Sequence, residues 1–423
     1  MRIGIVGVGT VGSGVIEIIE ERQELWKNQG INLEIVALAA KSMDELVGFE
    51  GKDYKLCTDV NEIIADPSID VFVELVGGYE LPKQWIKTAL ENGKHVVTAN
   101  KALIAKHGAE LFPLAKEKSL QILFEAAVGG GIPIIRTLQE GMTGNTVEHL
   151  SCIINGTCNY ILSRMTREGI SYPDVLAEAQ KLGYAEADPT FDVEGIDSAH
   201  KLAILASLSS GTFVDFEKIH VSGISQISAT DIEFAQEFGC VIKLLGIYSR
   251  QGDRVDARVH ACFVPEDHLL ASINGVLNGV YLEGDNLGPA LQTGAGAGKL
   301  PTASAVVADL AFLARSQNRI PIPMDCFNEN NTADLVPINE LKTRYYFRFT
   351  TKDARGVLAS ITSILSKNEI SIESIVQKNV KDPHKVSVVV ITEKVLESNV
   401  AQALREIDAL EAVTEPSRTI RFL

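Results

Sequence analysis

The feature that most constrains the fold is an alternation of short apolar runs with helical patterns over the first 130 residues. The apolar runs are typical of buried strands and cover residues 3–6, 35–39, 71–76, 95–98 and 121–124. Apolar residues at helical spacing lie between them, first in the segment from Val11 to Trp26. Because strands that alternate with helices form parallel sheets, we predict an α/β fold whose N-terminal unit, residues 1–130, is a Rossmann-type doubly wound sheet.

A glycine-rich motif directly follows the first apolar run. In a dinucleotide-binding turn, the first glycine permits a tight bend, the second lets a pyrophosphate approach the backbone, and the third lets the helix pack on its strand. The alternative is an ordinary strand-to-helix turn, but the position between a strand and an amphipathic helix favours cofactor binding. The motif residues predicted to bind the cofactor are Gly7, Val8, Gly9, Thr10, Val11 and Gly12.

The end of the second strand run bears on the identity of the cofactor. An NAD-dependent enzyme usually has an acidic residue there, which binds the ribose hydroxyl groups. This chain has Lys41 followed by Ser42 instead. Lys41 is either a ligand of the 2′-phosphate of NADP or a solvated surface lysine. We therefore predict NADP as the cofactor, with NAD as a second one that the protein accepts.

A polar segment, residues 98–101, follows the fourth strand run. Ligands of open α/β sheets bind beyond the carboxyl ends of the strands, so Lys101 is expected to point into the cleft. The alternative is a surface lysine at the start of a helix. Thr98, Asn100 and Lys101 are the predicted cofactor contacts in this segment.

The middle region, residues 131–320, mixes helices with antiparallel strand patterns and is predicted to be an α+β catalytic and dimerisation domain. Glu186, Asp188, Asp192 and Asp197 lie within twelve residues, and Lys201 follows Asp197 by one helical turn. Carboxylates around a lysine suit an amino-group site beside an acid/base lysine, whereas the alternative is a surface ion pair. The polar residues 155–160 precede a helix, where they either line a cleft or cap the helix.

The last part of the chain is predicted to be a separate unit. Residues 321–342 contain prolines and a polar run and are predicted to be a linker. Residues 343–423 show a strand-helix-strand-strand-helix-strand order, and we predict a βαββαβ domain there.

Charge and cysteine content exclude several classes of protein. The formal net charge of −16 disfavours binding to nucleic acid and to anionic membrane surfaces. Six cysteines without a C-x-x-C pair indicate a reducing compartment. With no apolar run of 18 residues, the expected location is the cytoplasm.

Together these segments resemble homoserine dehydrogenase, in its monofunctional form. The resemblance rests on the glycine motif, residues 98–101, residues 125–133, residues 155–160 and residues 183–201. Residues 353–358 and the unit around them resemble an ACT domain, a small module that binds amino acids. The resemblance implies reversible, NAD(P)H-dependent reduction of L-aspartate 4-semialdehyde to L-homoserine. It also implies an amino-acid effector such as threonine at the ACT domain, and a homodimer or homotetramer.

The resemblance also assigns roles to single residues. Lys201 matches the catalytic lysine, and Lys101 matches a lysine that contacts cofactor and substrate. Glu186 and Asp197 match residues that hold the substrate, while Gly183 and Gly298 match backbone positions lining the cofactor and substrate site. A monovalent-cation loop, which binds sodium largely through backbone carbonyl groups, is matched by Glu125, Val128, Gly130 and Ile132.

Two rival functions remain open at the level of sequence. One is a dehydrogenase of another small amino or hydroxy acid. The other is a catalytically inactive nucleotide or amino-acid sensor, against which the retention of Lys101, Lys201 and the acidic residues argues.

Overall fold

The first unit of the chain is a parallel six-stranded sheet with the strand order β3-β2-β1-β4-β5-β6. The structure, a computed structural model, describes residues 1–316, 325–377 and 386–423. The strands are β1 (Arg2–Val6), β2 (Glu34–Ala39), β3 (Lys55–Cys57), β4 (Val71–Glu74), β5 (His95–Thr98) and β6 (Ile122–Leu123). The order reverses between β1 and β4, as in a doubly wound dinucleotide-binding sheet.

Helices cover both faces of this sheet. The helices from the first part of the chain are α1 (Thr10–Lys27), α2 (Asn61–Ile64), α3 (Glu80–Glu91) and α4 (Lys101–Glu117). The face on which α1 packs also receives a helix from far along the chain, at residues 299–315, whose apolar side is buried with Ile3, Ile5 and Val73. The predicted Rossmann-type sheet is therefore confirmed, but one of its covering helices comes from the region predicted to be the middle domain.

The middle region contains an antiparallel sheet with helices on one face. Its strands are β7 (Val147–Ile153), the two-residue β8 (His220–Val221), β9 (Cys240–Gln251), β10 (Arg254–Pro265), β11 (Leu277–Gly284) and β12 (Gly288–Ala295). Its helices are the one-turn α5 (Ile134–Arg136), α6 (Gly156–Glu168), α7 (Tyr172–Lys181), α8 (Thr190–Val193), α9 (Ile196–Ser210), α10 (Ala229–Glu237) and α11 (Lys299–Arg315). Helices α6, α9 and α10 pack on the two long central strands, so the predicted α+β character is confirmed.

The C-terminal region has the predicted βαββαβ order. Its elements are β13 (Lys342–Thr343), β14 (Tyr345–Thr351), α12 (Val357–Lys367), β15 (Ile372–Gln377), β16 (Val386–Thr392), β17 (Val395–Leu396), α13 (Glu397–Asp408) and β18 (Val413–Phe422). Tyr345, Phe347 and Phe349 alternate along β14 and form an apolar core with residues of α12 and α13.

The C-terminal sheet is continuous with the middle sheet. Strand β18 pairs in parallel with β10, which produces the order β12-β11-β7-β9-β10-β18-β14-β16-β15. The face opposite α12 and α13 packs on α10. There the Arg348 Nε atom donates to Asp231 Oδ1 at 2.7 Å, and the Tyr346 hydroxyl donates to the same oxygen at 2.9 Å. All three side chains are buried.

The predicted unit boundaries near residues 130, 320 and 342 remain predictions. Residues 321–324 of the predicted linker lie outside the described residues. Farther along the linker, the backbones of Asp334 and Val336 hydrogen-bond to Val255 of the middle sheet. Every helix in the described ranges is too short or too polar to cross a bilayer.

Candidate active site

The candidate site lies where α4 packs against α9. Lys101 is the first residue of α4, and Asp197 and Lys201 lie one turn apart on α9. The Asp197 carboxylate contacts both ammonium groups: Oδ2 is 2.6 Å from Lys201 Nζ, and Oδ1 is 3.2 Å from Lys101 Nζ. The alternative of a surface ion pair is wrong, because only 5% of the Asp197 side chain is exposed.

Lys201 is oriented by a second hydrogen bond. Its ammonium group also donates to the backbone carbonyl of Ile154 at 2.7 Å, and the side chain is 13% exposed. A lysine ammonium has three hydrogens. Two therefore have partners in the protein, and the third is available to a ligand oxygen atom.

The charges around Asp197 hold it ionised. Burial alone would raise the pKa of its carboxyl group. The positive charges of Lys201 and Lys101, with hydrogen bonds from Lys201 and Asn155, outweigh burial and lower this pKa to about 2. The site thus contains a permanent carboxylate between two cations.

A second carboxylate, Asp192 of α8, lies beside the first. The Asn155 Nδ2 amide group donates to Asp192 Oδ1 at 2.8 Å and to Asp197 Oδ2 at 2.9 Å. The Thr157 hydroxyl is 2.5 Å from the carbonyl oxygen of Tyr184 but 3.4 Å from Asp192 Oδ2, so its single hydrogen goes to the carbonyl. Burial, with the negative charge of Asp197, raises the pKa of Asp192.

Asn155 was not among the predicted site residues. Residues 155–160 were recognised as either a cleft lining or a helix cap, and Asn155 does both: its Oδ1 atom accepts from the backbone N–H of Cys158 at the start of α6. An Asn followed by a helix predicts only the cap. Its bonds to Asp192 and Asp197 depend on tertiary packing. Cys158 itself is fully buried.

Glu186 and Gly183 lie on the exposed loop after α7. Gly183 has φ +74° and its N–H donates to the carbonyl of Gln180, so it ends the helix in the left-handed conformation. The side chain of Glu186 is exposed to solvent, and its backbone carbonyl accepts from Gln180. These observations place both residues on one loop without testing their predicted ligand contacts.

The glycine motif has the geometry that a dinucleotide needs. A Cβ atom on Gly12 would lie 2.0 Å from the carbonyl oxygen of Gly7, so α1 begins against the preceding turn as only glycine allows. At Gly9 a Cβ atom would meet nothing within 4 Å, which leaves this N-terminus of α1 open. An open helix N-terminus binds a pyrophosphate through backbone N–H groups and the helix dipole. The described residues therefore fit a dinucleotide here.

Other predicted cofactor residues lie at the same edge of the sheet. Lys41 follows β2 and is exposed. Thr98 is fully buried, and its hydroxyl donates to Glu74 Oε2 at 2.6 Å, while the second oxygen of Glu74 accepts from the backbone of Val76 and Gly77. Glu74, which the sequence analysis missed, thus shapes the loop after β4. As the one acidic residue in the apolar run 71–76, it had a recognisable sequence signature.

Asn100 has a structural role in the same region. Its Oδ1 atom caps α4 by accepting from the N–H of Leu103, and its Nδ2 atom donates to the carbonyl of Gly78. This fixes the start of α4 and therefore the position of Lys101.

The predicted cation loop lies between the two sheets. Both carboxylate oxygens of Glu125 accept backbone N–H groups, from Ile135 at 2.8 Å and Arg136 at 2.9 Å. Its side chain is therefore used to cap α5. No hydrogen bond between described residues uses the carbonyl oxygens of Val128 and Gly130, whereas that of Ile132 accepts from Ile134. In the described ranges no three His, Cys, Asp or Glu side chains converge as metal ligands.

Gly298 and the segment before it adjoin this loop. A Cβ atom on Gly130 would lie 2.5 Å from the backbone of Gly296, and the N–H of Gly131 donates to the carbonyl of Ala295. Gly298 has φ +122°, which only glycine adopts readily, and it precedes α11. Residues 128–131 and 295–298 therefore form one contact region at the start of α11.

The chain is similar to known proteins along its whole length. Family models match residues 7–125 (homoserine dehydrogenase, NAD-binding domain), residues 133–311 (homoserine dehydrogenase) and residues 345–412 (ACT domain). The homoserine dehydrogenase of Pseudomonas aeruginosa is 44% identical over 428 residues, which span 100% of this chain and 98% of that protein.

Solved structures give the same result. A homoserine dehydrogenase from Thiobacillus denitrificans superposes with a TM-score of 0.94 at 43% identity, covering 100% of this chain and 98% of the other. A hyperthermophilic archaeal homoserine dehydrogenase, solved in complex with NADPH, covers 75% of this chain and 98% of its own at 28% identity, with a TM-score of 0.64. On these similarities, the chain belongs to the homoserine dehydrogenase family of NAD(P)-dependent oxidoreductases, with an ACT domain at its C-terminal end.

Proposed function

We propose that the site between α4 and α9 interconverts L-homoserine and L-aspartate 4-semialdehyde with Lys201 as its acid/base residue. The observation that supports this assignment most directly is the arrangement of Lys101 and Lys201 on either side of Asp197. Two cations held by one ionised carboxylate produce a site that favours a substrate oxygen atom on which negative charge develops.

Lys201 supplies the proton. The chemistry supplied by the bound dinucleotide is hydride exchange with the carbon atom that bears the substrate oxygen. Asp197 and the carbonyl of Ile154 direct two hydrogens of the Lys201 ammonium into the protein. Its third hydrogen donates to the substrate oxygen, protonates it in the reductive direction, and returns to the lysine in the oxidative one. Lys101, one third exposed, holds the substrate from the nucleotide-binding side.

The amino group of the substrate binds the carboxylates that have no cationic partner. Asp197 already contacts Lys101, Lys201 and Asn155, so it acts on the substrate by fixing the two lysines. Asp192 Oδ2 has no close donor of its own in the described site, and Glu186 is exposed on the adjoining loop. We assign these two carboxylates to the substrate ammonium group.

The cofactor is NADP, with NAD accepted less well. Gly7, Gly9 and Gly12 hold its pyrophosphate at the start of α1. Lys41 lies after β2, beside β1, where the adenine ribose of a dinucleotide lies in sheets of this order. No carboxylate of the described residues forms an ion pair with Lys41, so its ammonium group is available to a 2′-phosphate.

A sodium ion binds the backbone carbonyl oxygens of residues 125–132, and its role is structural. Val128 and Gly130 have carbonyl groups without hydrogen-bond partners in the described structure, and hard cations prefer such oxygens. The glutamate side chain at position 125 is not a ligand in this proposal, because both its oxygens accept backbone N–H groups.

The ACT unit binds an amino-acid effector such as threonine near residues 353–356 and pairs with a second copy. Strand β15 ends the long sheet, and Ile375 on it is 37% exposed. An exposed sheet edge of this kind is commonly covered by self-association, so the protein is a homodimer or homotetramer. Six cysteines without a disulfide support a cytoplasmic location.

The test of the proposed function is a substrate panel with the full-length protein. Purified protein should reduce NADP with L-homoserine and oxidise NADPH with L-aspartate 4-semialdehyde. We expect kcat/KM for homoserine to exceed the values for serine, malate and lactate by at least about 100-fold. Of these four compounds, only homoserine has its primary alcohol carbon two bonds from the carbon that bears the amino group. Equal activity with a hydroxy acid that lacks an amino group would contradict the assignment.

A further inference from the structure

We infer that Asn155 is a positioning residue for the reaction: its side-chain amide group holds the carboxylates of Asp192 and Asp197 at a fixed separation in the active site. The inference rests on the proposed function, because it assigns these two carboxylates to the substrate ammonium and to the lysine pair.

All hydrogen-bonding capacity of the Asn155 amide group is directed into the protein. The Nδ2 group has two hydrogens, and they go to Asp192 Oδ1 at 2.8 Å and Asp197 Oδ2 at 2.9 Å. The Oδ1 atom accepts from Cys158 N–H at 2.9 Å, and the residue is 4% exposed. Asn155 therefore has no hydrogen left for a substrate and acts through its neighbours.

The contacts of Asn155 stabilise two buried carboxylates that lie close together. Two carboxylates that share one small volume repel each other, and burial disfavours the charge of each. Lys101 and Lys201 pair directly with Asp197, whereas the described structure gives Asp192 no ion pair and only the more distant charge of Lys201. A neutral group that donates to both oxygens stabilises both charges, and it introduces no cation that would compete with the substrate ammonium for Asp192.

Asn155 also connects the carboxylates to the backbone that orients Lys201. The carbonyl of Ile154, the preceding residue, accepts the second hydrogen bond of the Lys201 ammonium. The side chain of Asn155 and the adjacent backbone thus fix Asp197 and Lys201 together. A rotation of this segment would move the acid/base group and the carboxylates at once.

The experiment separates this role from the capping of α6. In Asn155→Ser, the hydroxyl oxygen still caps the helix, because Ser is as good an N-cap as Asn, but the two amide donors are lost. We expect kcat/KM for homoserine to fall roughly 10- to 100-fold, with NADPH affinity close to wild type and only a modest decrease in the thermal midpoint. Asn328→Ser, which alters a half-buried helix cap far along the chain, is the matched control and should leave kcat/KM and the pH profile unchanged.

The pH profile gives a readout that a purely structural role would not change. The hydrogen bonds from Asn155 oppose the burial that raises the pKa of Asp192, and they help to lower the pKa of Asp197. Their loss should therefore move the acid limb of kcat/KM to higher pH. The charged and titratable groups that face these two carboxylates are Lys101, Cys158, Glu194, His200 and Lys201, with Cys152 close to Lys201. All of them remain unchanged in the variant.

A second variant covers the case in which the first does not fold. Asn155→Asp keeps the shape and the capping oxygen but places a third carboxylate against the other two. We expect a larger loss at pH 8 than the serine variant shows, and a smaller deficit relative to wild type at pH 6, where the introduced carboxyl group begins to protonate and donate. A wild-type pH profile and kcat/KM in either folded variant would overturn the inference, whereas a wild-type protein inactive on homoserine would overturn the proposed function instead.

Discussion

The free hydrogen of the Lys201 ammonium is the residue-scale feature most directly open to test. Lys201→Met keeps the length of the side chain but removes the proton donor, and positioned acid/base groups typically contribute roughly 10²–10⁴-fold. We expect kcat to fall at least about 100-fold while NADPH binding, followed by fluorescence titration, is unchanged. Lys181→Met, an exposed lysine at the end of α7, is the control. A kcat within threefold of wild type would remove Lys201 from the chemistry.

Asp197 should make stability depend on pH in a defined window. Its pKa is lowered to about 2 in the folded protein from an ordinary value of 3.8. A depressed pKa means that the ionised carboxylate stabilises the fold above about pH 4, and that this contribution is lost as the pH falls towards 2. We expect the free energy of unfolding of Asp197→Asn to be about 2 kcal/mol lower than that of wild type at pH 7. This difference should be smaller at pH 3. Urea titrations at both values measure it; a constant difference would contradict the assignment.

Lys41 should determine the choice between the two cofactors. Lys41→Asp replaces a cation near the proposed 2′-phosphate with an anion that accepts from ribose hydroxyl groups. We expect the ratio of kcat/KM for NADP to that for NAD to fall by at least about tenfold. Lys118→Asp makes the same charge change after α4, at the opposite edge of the sheet, and should leave the ratio unchanged. A wild-type protein that uses only NAD would show that Lys41 is a surface lysine.

At the residue scale, the sequence predicts contacts within one element better than contacts between elements. The spacing of Asp197 and Lys201 predicted a pair one helical turn apart, and that pair is present at 2.6 Å. Their contacts with Lys101 and Asn155 required the packing of α4 and α6 around α9, for which no local pattern exists. Likewise Thr98 and Asn100 were predicted as cofactor contacts, but the use of their side chains within the loop depends on Glu74 and Gly78.

At the scale of elements, the buried pair Asp231–Arg348 joins α10 to the C-terminal sheet. Arg348→Met leaves the Asp231 carboxylate buried with only neutral donors, Tyr346 and Ser228. Removing one partner of a buried ion pair typically costs about 3–5 kcal/mol, so the denaturation midpoint should fall clearly. The exposed pair of Arg254 and Glu340 provides the control, since Arg254→Met should cost less than about 1 kcal/mol. Equal decreases in stability in the two variants would show that the buried ion pair stabilises the protein no more than the exposed one.

Elements were predicted best where the apolar period was clean. Five strands of the first sheet lie where the apolar runs predict them, whereas the three-residue β3 (Lys55–Cys57) was not predicted. Strands β11 and β12 were not located individually by the sequence analysis. The glycines and the proline of β12 resemble a turn sequence, and only its pairing with β11 makes it a strand.

At the scale of the whole molecule, the long shared sheet makes the C-terminal unit part of one folded body. Truncation after residue 330 would expose Phe234 and Phe263, which are buried with Phe422 and Tyr346. Exposure of these two rings should cost roughly 3–6 kcal/mol, so we expect the truncated chain to melt at least several degrees lower or to aggregate. Differential scanning fluorimetry of both chains would measure this. A truncated chain with an unchanged midpoint would mean that the shared sheet adds little stability.

The return of α11 to the first sheet has a consequence for synthesis on the ribosome. The last strand of that sheet ends at Leu123, but α11, which buries the face shared with α1, is complete only at Arg315. At about 5–20 residues per second, the nascent nucleotide-binding unit spends roughly 10–40 s with that face covered by α1 but not by α11. During this interval the apolar surface that α11 will bury is open to chaperones, so the first unit of the chain reaches its final packing only after most of the polypeptide has been made.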